Sequence, residues 1–234
     1  MYVTVAKGYK TGGFNTVFES EDERTFGPET SWNYEIGAKT SFFEKKLFVE
    51  AALFYIDIKN QQIKQLLDLQ GLKVHNAGNT VSKGAELSLR ANPIRNLSLS
   101  ASYGYTHATF KDYVYNSTVN YAGNFLPFIP KHTLSINLEK IFPYRSAISD
   151  QILFNVGYTG MGEIYWSENN ETKQPFYGTL DASLGTNKGK VEFTLWAKNM
   201  TDTKYLGYYF VSSGRKLGKP GKPFTAGVSL SYSL

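Results

Sequence analysis

From Trp32 to Phe42 the chain reads WNYEIGAKTSF: Trp32, Tyr34, Ile36, Ala38, Thr40 and Phe42 alternate with Asn33, Glu35, Gly37, Lys39 and Ser41. Successive side chains on an extended strand point to opposite faces, so this period of two gives a strand with one apolar and one polar face. The pattern recurs along the chain. Val81, Ala85, Leu87 and Leu89 oppose Ser82, Gly84, Glu86, Ser88 and Arg90, and Leu97, Leu99, Ala101, Tyr103 and Tyr105 oppose Ser98, Ser100, Ser102, Gly104 and Thr106. Ile152, Phe154, Val156 and Tyr158 oppose Asn155, Gly157 and Thr159; near the end Phe224, Ala226, Val228, Leu230, Tyr232 and Leu234 oppose Thr225, Gly227, Ser229, Ser231 and Ser233.

This alternation predicts about ten strands, starting near Tyr2, Trp32, Leu47, Thr80, Leu97, Lys131, Gln151, Phe176, Lys190 and Pro223. Each runs for roughly 9–14 residues, against the roughly 5–6 usual in globular proteins. Short turns at Glu44 to Lys46, Asn92 to Asn96, Pro143 to Asp150 and Asn187 to Gly189 alternate with long polar loops. The loops run from Thr11 to Ser31, Asn60 to Asn79, Lys111 to Pro130, Gly162 to Pro175 and Thr201 to Lys222. In an up-and-down meander, alternate connections share an end, so all short turns fall on one side and all long loops on the other. Outer-membrane β-barrels have this asymmetry.

Composition agrees with an all-β chain. Of 234 residues 15% are aromatic, with 17 Tyr and 16 Phe, and Gly (21) outnumbers Pro (8). With no Cys, disulfides and thiolate metal sites are excluded. The formal charge of +5 is spread among acids without the basic stripe of a nucleic-acid binder. A mean hydropathy of −0.33 looks soluble, but a membrane strand needs an apolar residue only at every second position, so its hydropathy averages away. Alternation also fits a soluble barrel or sandwich. Strand length, loop asymmetry and aromatics at strand ends (Trp32 and Tyr34 against Phe42; Tyr103 and Tyr105; Phe224 against Tyr232) favour the membrane, where such rings sit at the headgroup level. No fixed-period repeat, low-complexity tract or linker divides the chain, and Met1 is followed directly by strand-like sequence without the features of an export signal.

Several segments occur in the order found in the C-terminal strands of TonB-dependent receptors. They are KGYKTGGFN (Lys7 to Asn15), PETSWNYEIGAKT (Pro28 to Thr40), FYIDIKNQQI (Phe54 to Ile63), NAGNTVSKGAELSL (Asn76 to Leu89) and LSLSASYGYTHATFKDY (Leu97 to Tyr113), then PFIPKHTLSI (Pro127 to Ile136), AKNMTDTKY (Ala197 to Tyr205) and GKPFTAGVSLSYSL (Gly221 to Leu234). The chain therefore resembles the C-terminal part of that family's barrel. The resemblance implies an antiparallel, up-and-down transmembrane β-barrel segment, about ten strands of an expected 22-stranded barrel. It implies a plug domain and N-terminal strands outside residues 1–234, and a partner TonB. Ten strands alone leave unpaired edges, untenable in lipid, so a fragment or truncated product unable to transport by itself is expected. The family's last strand, read by the barrel-assembly machinery, usually ends in Phe; this one ends in Leu234 with Tyr232 in register, and Pro223 is followed by Phe224 where many members have Arg.

By the same resemblance, the complete receptor takes up a scarce nutrient, most often a ferric siderophore, with haem, cobalamin and glycans as alternatives. Ligand recognition is expected on the long loops, with Tyr165, Trp166, Tyr208, Tyr209, Phe210 and Arg215 as exposed aromatic and cationic anchors. Asn33, Glu35, Lys39, Glu86 and Arg90 are expected to face the lumen and the plug. No resident cofactor is expected. Of other readings, a soluble ligand-binding β-domain would keep the loop aromatics but make the apolar face its core. A barrel hydrolase would need His107 and His132, which flank one loop, to work with Asp112, yet no nucleophile motif accompanies them, and with His75 they show no metal-ligand spacing. Gly8, Gly12 and Gly13 lack the Lys-Ser/Thr of a phosphate loop and read as turn glycines; the triplet from Asn170 to Thr172 carries no meaning in such a membrane.

Overall fold

A computed structural model describes every residue except Glu19, 68–70, 116–117, Ser213 and Leu234; for 65–67 and Ser212 it describes the backbone alone. The described strands, in chain order, begin with β1 (Tyr2–Lys10), β2 (Gly13–Phe14), β3 (Thr25–Phe26), β4 (Glu29–Phe42), β5 (Leu47–Lys59), β6 (Gln62–Leu67), β7 (Gly71–Asn76), β8 (Asn79–Ala91) and β9 (Leu97–Asp112). They continue with β10 (His132–Pro143), β11 (Gln151–Gly162), β12 (Ile164–Tyr165), β13 (Lys173–Gln174), β14 (Tyr177–Lys188), β15 (Val191–Lys198), β16 (Leu206–Ser212), β17 (Arg215–Pro220) and β18 (Thr225–Tyr232). One 3-10 turn, Glu21–Glu23, interrupts them.

Ten of these strands form one antiparallel sheet in the order β1-β4-β5-β8-β9-β10-β11-β14-β15-β18, a meander in which each strand pairs with the next along the chain. The ten expected strands are present, with starts within a few residues of those read from the alternation. The expected place of Leu234 in the last strand lies outside the described residues. One expectation needs correction: four of the five long loops are not plain loops but carry two-stranded ribbons, β2-β3, β6-β7, β12-β13 and β16-β17.

Register makes the two faces continuous. On one face Phe42, Leu47, Ala91, Leu99, Leu138, Val156, Ala182, Ala197 and Ala226 stand side by side from β4 to β18. On the other, Lys39, Glu50, Ser88, Ser102, Ser135, Thr159 and Thr179 make an unbroken polar row from β4 to β14. A shift of one residue at any pairing would break both rows, so the alternation itself selects the register.

Apart from the turn at 144–150, whose Ser149 meets Thr186 at the edge of the sheet, no described element covers the apolar face. Ile36, Leu53, Ile136, Leu184 and Leu230 are exposed, Leu230 to 75%. Polar neighbours such as Asn33 and Glu35 are half-buried, as expected if the sheet curves with its polar side concave. The buried hydrophobics gather instead at the long-loop end, in two clusters around Phe110 and around Trp166. A soluble barrel or sandwich would bury the apolar rows; here they form an exposed apolar belt far larger than a soluble monomer tolerates. This arrangement opposes the soluble reading. No described helix is long and apolar enough to cross a membrane; the strands are the crossing elements.

The short turns close tightly. Phe43, Glu44 and Lys45 all have positive φ (51, 55 and 67°), and the Lys46 N–H donates to the Phe43 carbonyl at 3.0 Å. Asn96 (φ 60°) and Gly189 (φ 55°) serve the same purpose in two other turns, using residue types that tolerate the left-handed region.

Candidate binding site at the long-loop end

All five long loops emerge at one end of the wall, where polar side chains lock each to its neighbour. Asn15, buried, accepts the Val74 N–H at 2.8 Å and donates to the carbonyls of Val74 (2.8 Å) and Glu23 (2.7 Å), joining the first loop to the ribbon β6-β7. The Lys73 ammonium meets Glu23 at 2.7 Å, and Gln62 donates to the carbonyls of Thr11 and Gly27. His75 Nε2 lies 2.8 Å from the Tyr113 hydroxyl, linking the second loop to the third, and burial lowers the imidazole's basicity. Buried hydrogen bonds of this kind contribute roughly 1 kcal/mol each.

The third and fourth loops are joined most densely. Asn170, at φ +55°, accepts the Phe125 N–H at 2.7 Å and donates to the carbonyls of Phe125 and Ser167. Asn124 donates to the Glu168 carbonyl. Lys131 bonds Glu163 at 2.5 Å and stands 3.8 Å above the Phe125 ring, while Lys173 bonds the second Glu163 oxygen. Those two ammonium groups hold the Glu163 carboxyl down at about 2. The fourth and fifth loops meet where the Leu206 N–H donates to Gln174 at 2.7 Å and where Tyr209 packs with Ile164 and Trp166.

This crown sorts the six loop residues expected to contact ligand. Tyr165 stacks on Phe125, with centroids 5.2 Å apart and 2° between planes. Trp166 and Tyr209 are 7% and 8% exposed, so neither is the surface anchor expected from sequence; they form a loop core. Tyr208 is 46% exposed and stacks on Phe128 at 5.6 Å, with Phe210 beside it at 5.7 Å. Arg215, on β17, is exposed with no ion-pair partner among the described residues. Phe128, also exposed, belongs to this platform and was missed, although its setting between Leu126 and Pro130 at positive φ marks a constrained turn. The result is a shallow aromatic surface backed by a packed core.

Asn33, Glu35, Lys39, Glu86 and Arg90 share the polar face, as their register requires. Tyr2 donates to Glu35 at 2.7 Å, and Lys39 faces Glu50 at 3.5 Å. The three histidines are engaged elsewhere than in an acid/base pair. His107 meets Phe125 edge-on, His132 Nδ1 lies 2.7 Å from the Tyr103 hydroxyl, and Asp112 accepts from the backbone and side-chain nitrogens of Asn79. Among the described residues no group of three or more His, Asp or Glu side chains could hold a metal. Gly8, Gly12 and Gly13, expected as turn glycines, are not: Gly8 lies within β1, Gly12 just before β2 and Gly13 at its start, none at positive φ, and a Cβ on Gly12 would lie 2.5 Å from the Phe26 carbonyl oxygen.

The profile of the family described as TonB dependent receptor-like, β-barrel, matches residues 1–200. The chain belongs to that family. The Pesticin receptor of Yersinia pestis is 26% identical over 233 residues, covering 98% of this chain and 33% of the receptor. The Catecholate siderophore receptor Fiu of Escherichia coli (strain K12) is 26% identical over 211 residues, 88% of this chain and 26% of Fiu. Among solved structures, the ferric yersiniabactin uptake receptor FyuA from Yersinia pestis superimposes with a TM-score of 0.82 at 24% identity, over 98% of this chain and 34% of FyuA. The chain thus spans about a third of the length of the Pesticin receptor, as part of the wall of a TonB-dependent-receptor barrel in the outer membrane. The AKNMTDTKY motif has a structural reason here. Asn199, at φ +47°, donates to the carbonyls of Thr203 and Lys222, accepts the Thr203 N–H, and gives its own N–H to Asp181, so one side chain closes the exit from β15.

Proposed function

We propose that residues 1–234 supply the C-terminal part of an outer-membrane receptor that takes up a ferric siderophore or a similarly scarce metal chelate. The observation carrying this reading is the interlocked loop crown with its aromatic platform, set over a wall whose polar face can line a lumen. Relatives named as siderophore receptors over nearly the whole chain support it. Further strands would pair with β1 and β18, the two edges of the described sheet, and a plug would rest against Asn33, Glu35, Lys39, Glu86 and Arg90. TonB would act through that plug, and the barrel-assembly machinery through the final strand. Tyr208, Phe210 and Arg215, with Phe128, would touch the ligand; Tyr165, Trp166 and Tyr209 would hold that surface in shape. The protein would bind and admit its cargo without chemical change; His132 bonds Tyr103 and Asp112 bonds Asn79, so the two do not pair with each other. The metal is cargo held by its chelator, so no protein ligand set is needed.

The test uses the complete receptor in cells lacking their own ferric-chelate receptors, with labelled ferric catecholate and phenolate chelates offered in turn. Uptake of one of them, and about tenfold weaker binding in Tyr208→Ala/Phe128→Ala, is the expected result. A receptor that reaches the membrane folded yet binds neither chelate contradicts the reading.

A further inference from the structure

The fifth loop carries charge of one sign. No Asp or Glu follows Asp202 in the sequence, and Asp202 is itself bound by Lys204 at 2.7 Å. That leaves Arg215, Lys216, Lys219 and Lys222, all exposed and none with an ion-pair partner among the described residues. The carboxylates of the neighbouring fourth loop are engaged elsewhere. Glu163 is held between Lys131 and Lys173, while Glu168 and Glu171 act electrostatically on Tyr121 of the third loop.

The pairing of the ribbon β16-β17 decides which of these cations stand over the aromatic platform. Tyr208 is opposite Lys219, Phe210 opposite Leu217, and the backbone of Ser212 opposite Arg215. Residues directly opposite in an antiparallel pair share a face, with Cβ atoms about 4.5–5.5 Å apart. Lys219 therefore flanks Tyr208, the ring stacked on Phe128, and Arg215 stands one step beyond Phe210 on that same face. Lys216 is opposite Val211, on the other face with the buried Tyr209. The rings are thus bounded at both ends by cations. Unopposed like charges repel one another and add nothing to the loop's own stability. A ligand of opposite sign relieves that repulsion, whereas a neutral one has no use for either cation.

We propose that this ribbon face selects its cargo by charge: the ligand is an anionic aryl chelate, its rings against Tyr208 and Phe210 and its negative oxygens between Arg215 and Lys219. The inference rests on the reading of this end as the ligand site of a metal-chelate receptor. It deepens that reading by naming the ligand's charge class and by making Lys219 a specificity-determining residue.

The test measures binding of two probes to the complete receptor in detergent, by quenching of its tryptophan fluorescence. One is a ferric tris-catecholate, an anion; the other is a ferric trihydroxamate, which is neutral. The wild type should bind the anion at least about tenfold more tightly, with an affinity that falls as salt is added. Arg215→Glu/Lys219→Glu should weaken binding of the anion about thirtyfold at low salt and remove most of the salt dependence. Lys216→Glu makes the same kind of charge change on the opposite face of the ribbon and should shift the affinity less than about threefold. Heat-modifiable gel migration confirms that each variant is a folded barrel. Equal affinity of the wild type for the two chelates, unaltered binding of the anion by the double variant, or a loss in Lys216→Glu as large as in the double variant overturns the proposal. In each of those cases a chelate is still bound and the receptor reading stands; a folded wild type that binds neither chelate overturns both.

Discussion

Arginine at position 136 and arginine at position 137 should have opposite consequences, although the two residues are neighbours on one strand. Ile136 lies on the apolar face of β10 between Ala101 and Tyr158; Asn137 lies on the polar face between Ser100 and Gly157. With a rise of about 3.3 Å per residue, Ile136 is roughly 13 Å along the strand from His132, well inside the apolar belt. Arginine at the lipid midplane of a barrel costs about 2–4 kcal/mol. Ile136→Arg should therefore lower the folded-to-unfolded ratio by about 30-fold to 1,000-fold, whereas Asn137→Arg, with its guanidinium in a polar cavity, should cost under about 1 kcal/mol. The assay is denaturant unfolding of the complete barrel in phospholipid vesicles, with tryptophan fluorescence as readout. Equal losses for the two variants, or the larger loss at 137, would refute the assignment of faces.

Three other outcomes follow from the crown. Glu163 has a folded-state pKa depressed from 4.5 to about 2, so its stabilisation is complete above about pH 4.5 and is lost as pH falls through about 2. Glu163→Gln should cost on the order of 2 kcal/mol at neutral pH after allowance for partial solvent screening, and its acid-denaturation profile should flatten between those two pH values. Asn170→Ala should strand both Phe125 backbone groups and destabilise the third loop by about 2–3 kcal/mol, seen as faster hydrogen exchange at Phe125 while exchange in the middle of β10 stays slow. Phe110→Ala, emptying a site only 1% exposed, should cost about 3–5 kcal/mol and make the loops at 60–78 and 113–131 sensitive to protease while the wall remains resistant.

The wall was legible because its physics is periodic. A strand with lipid on one side and polar surroundings on the other must alternate; Leu97 to Tyr105 do so throughout, and Trp32 to Phe42 do so with Thr40 as the one polar residue in the apolar row. Boundaries were less clear because the alternation fades where a strand leaves the belt: β4 begins at Glu29 rather than Trp32, and β18 at Thr225 rather than Pro223. Alternation could not say which face was covered; that required the register and the exposure of Ile36, Leu53 and Leu230. The crown was largely hidden. Its ribbons are short, and its joints are Asn15, Gln62, Asn76 and Asn170, residues that look like solvated loop positions until their partners from other loops are seen. Trp166 and Tyr209 were expected at the surface for a related reason: composition does not reveal that a loop has a core of its own.

The apolar face of the wall should lie against lipid, and the absence of cysteine from the chain makes this simple to measure directly. Single cysteines placed from Thr133 to Glu139 would carry a nitroxide, with its collisions with oxygen and with a water-soluble nickel chelate measured in lipid bilayers. Oxygen access should peak at positions 134, 136 and 138, and nickel access at 133, 135, 137 and 139. Oxygen maxima at the odd positions, or no alternation at all, would contradict the account.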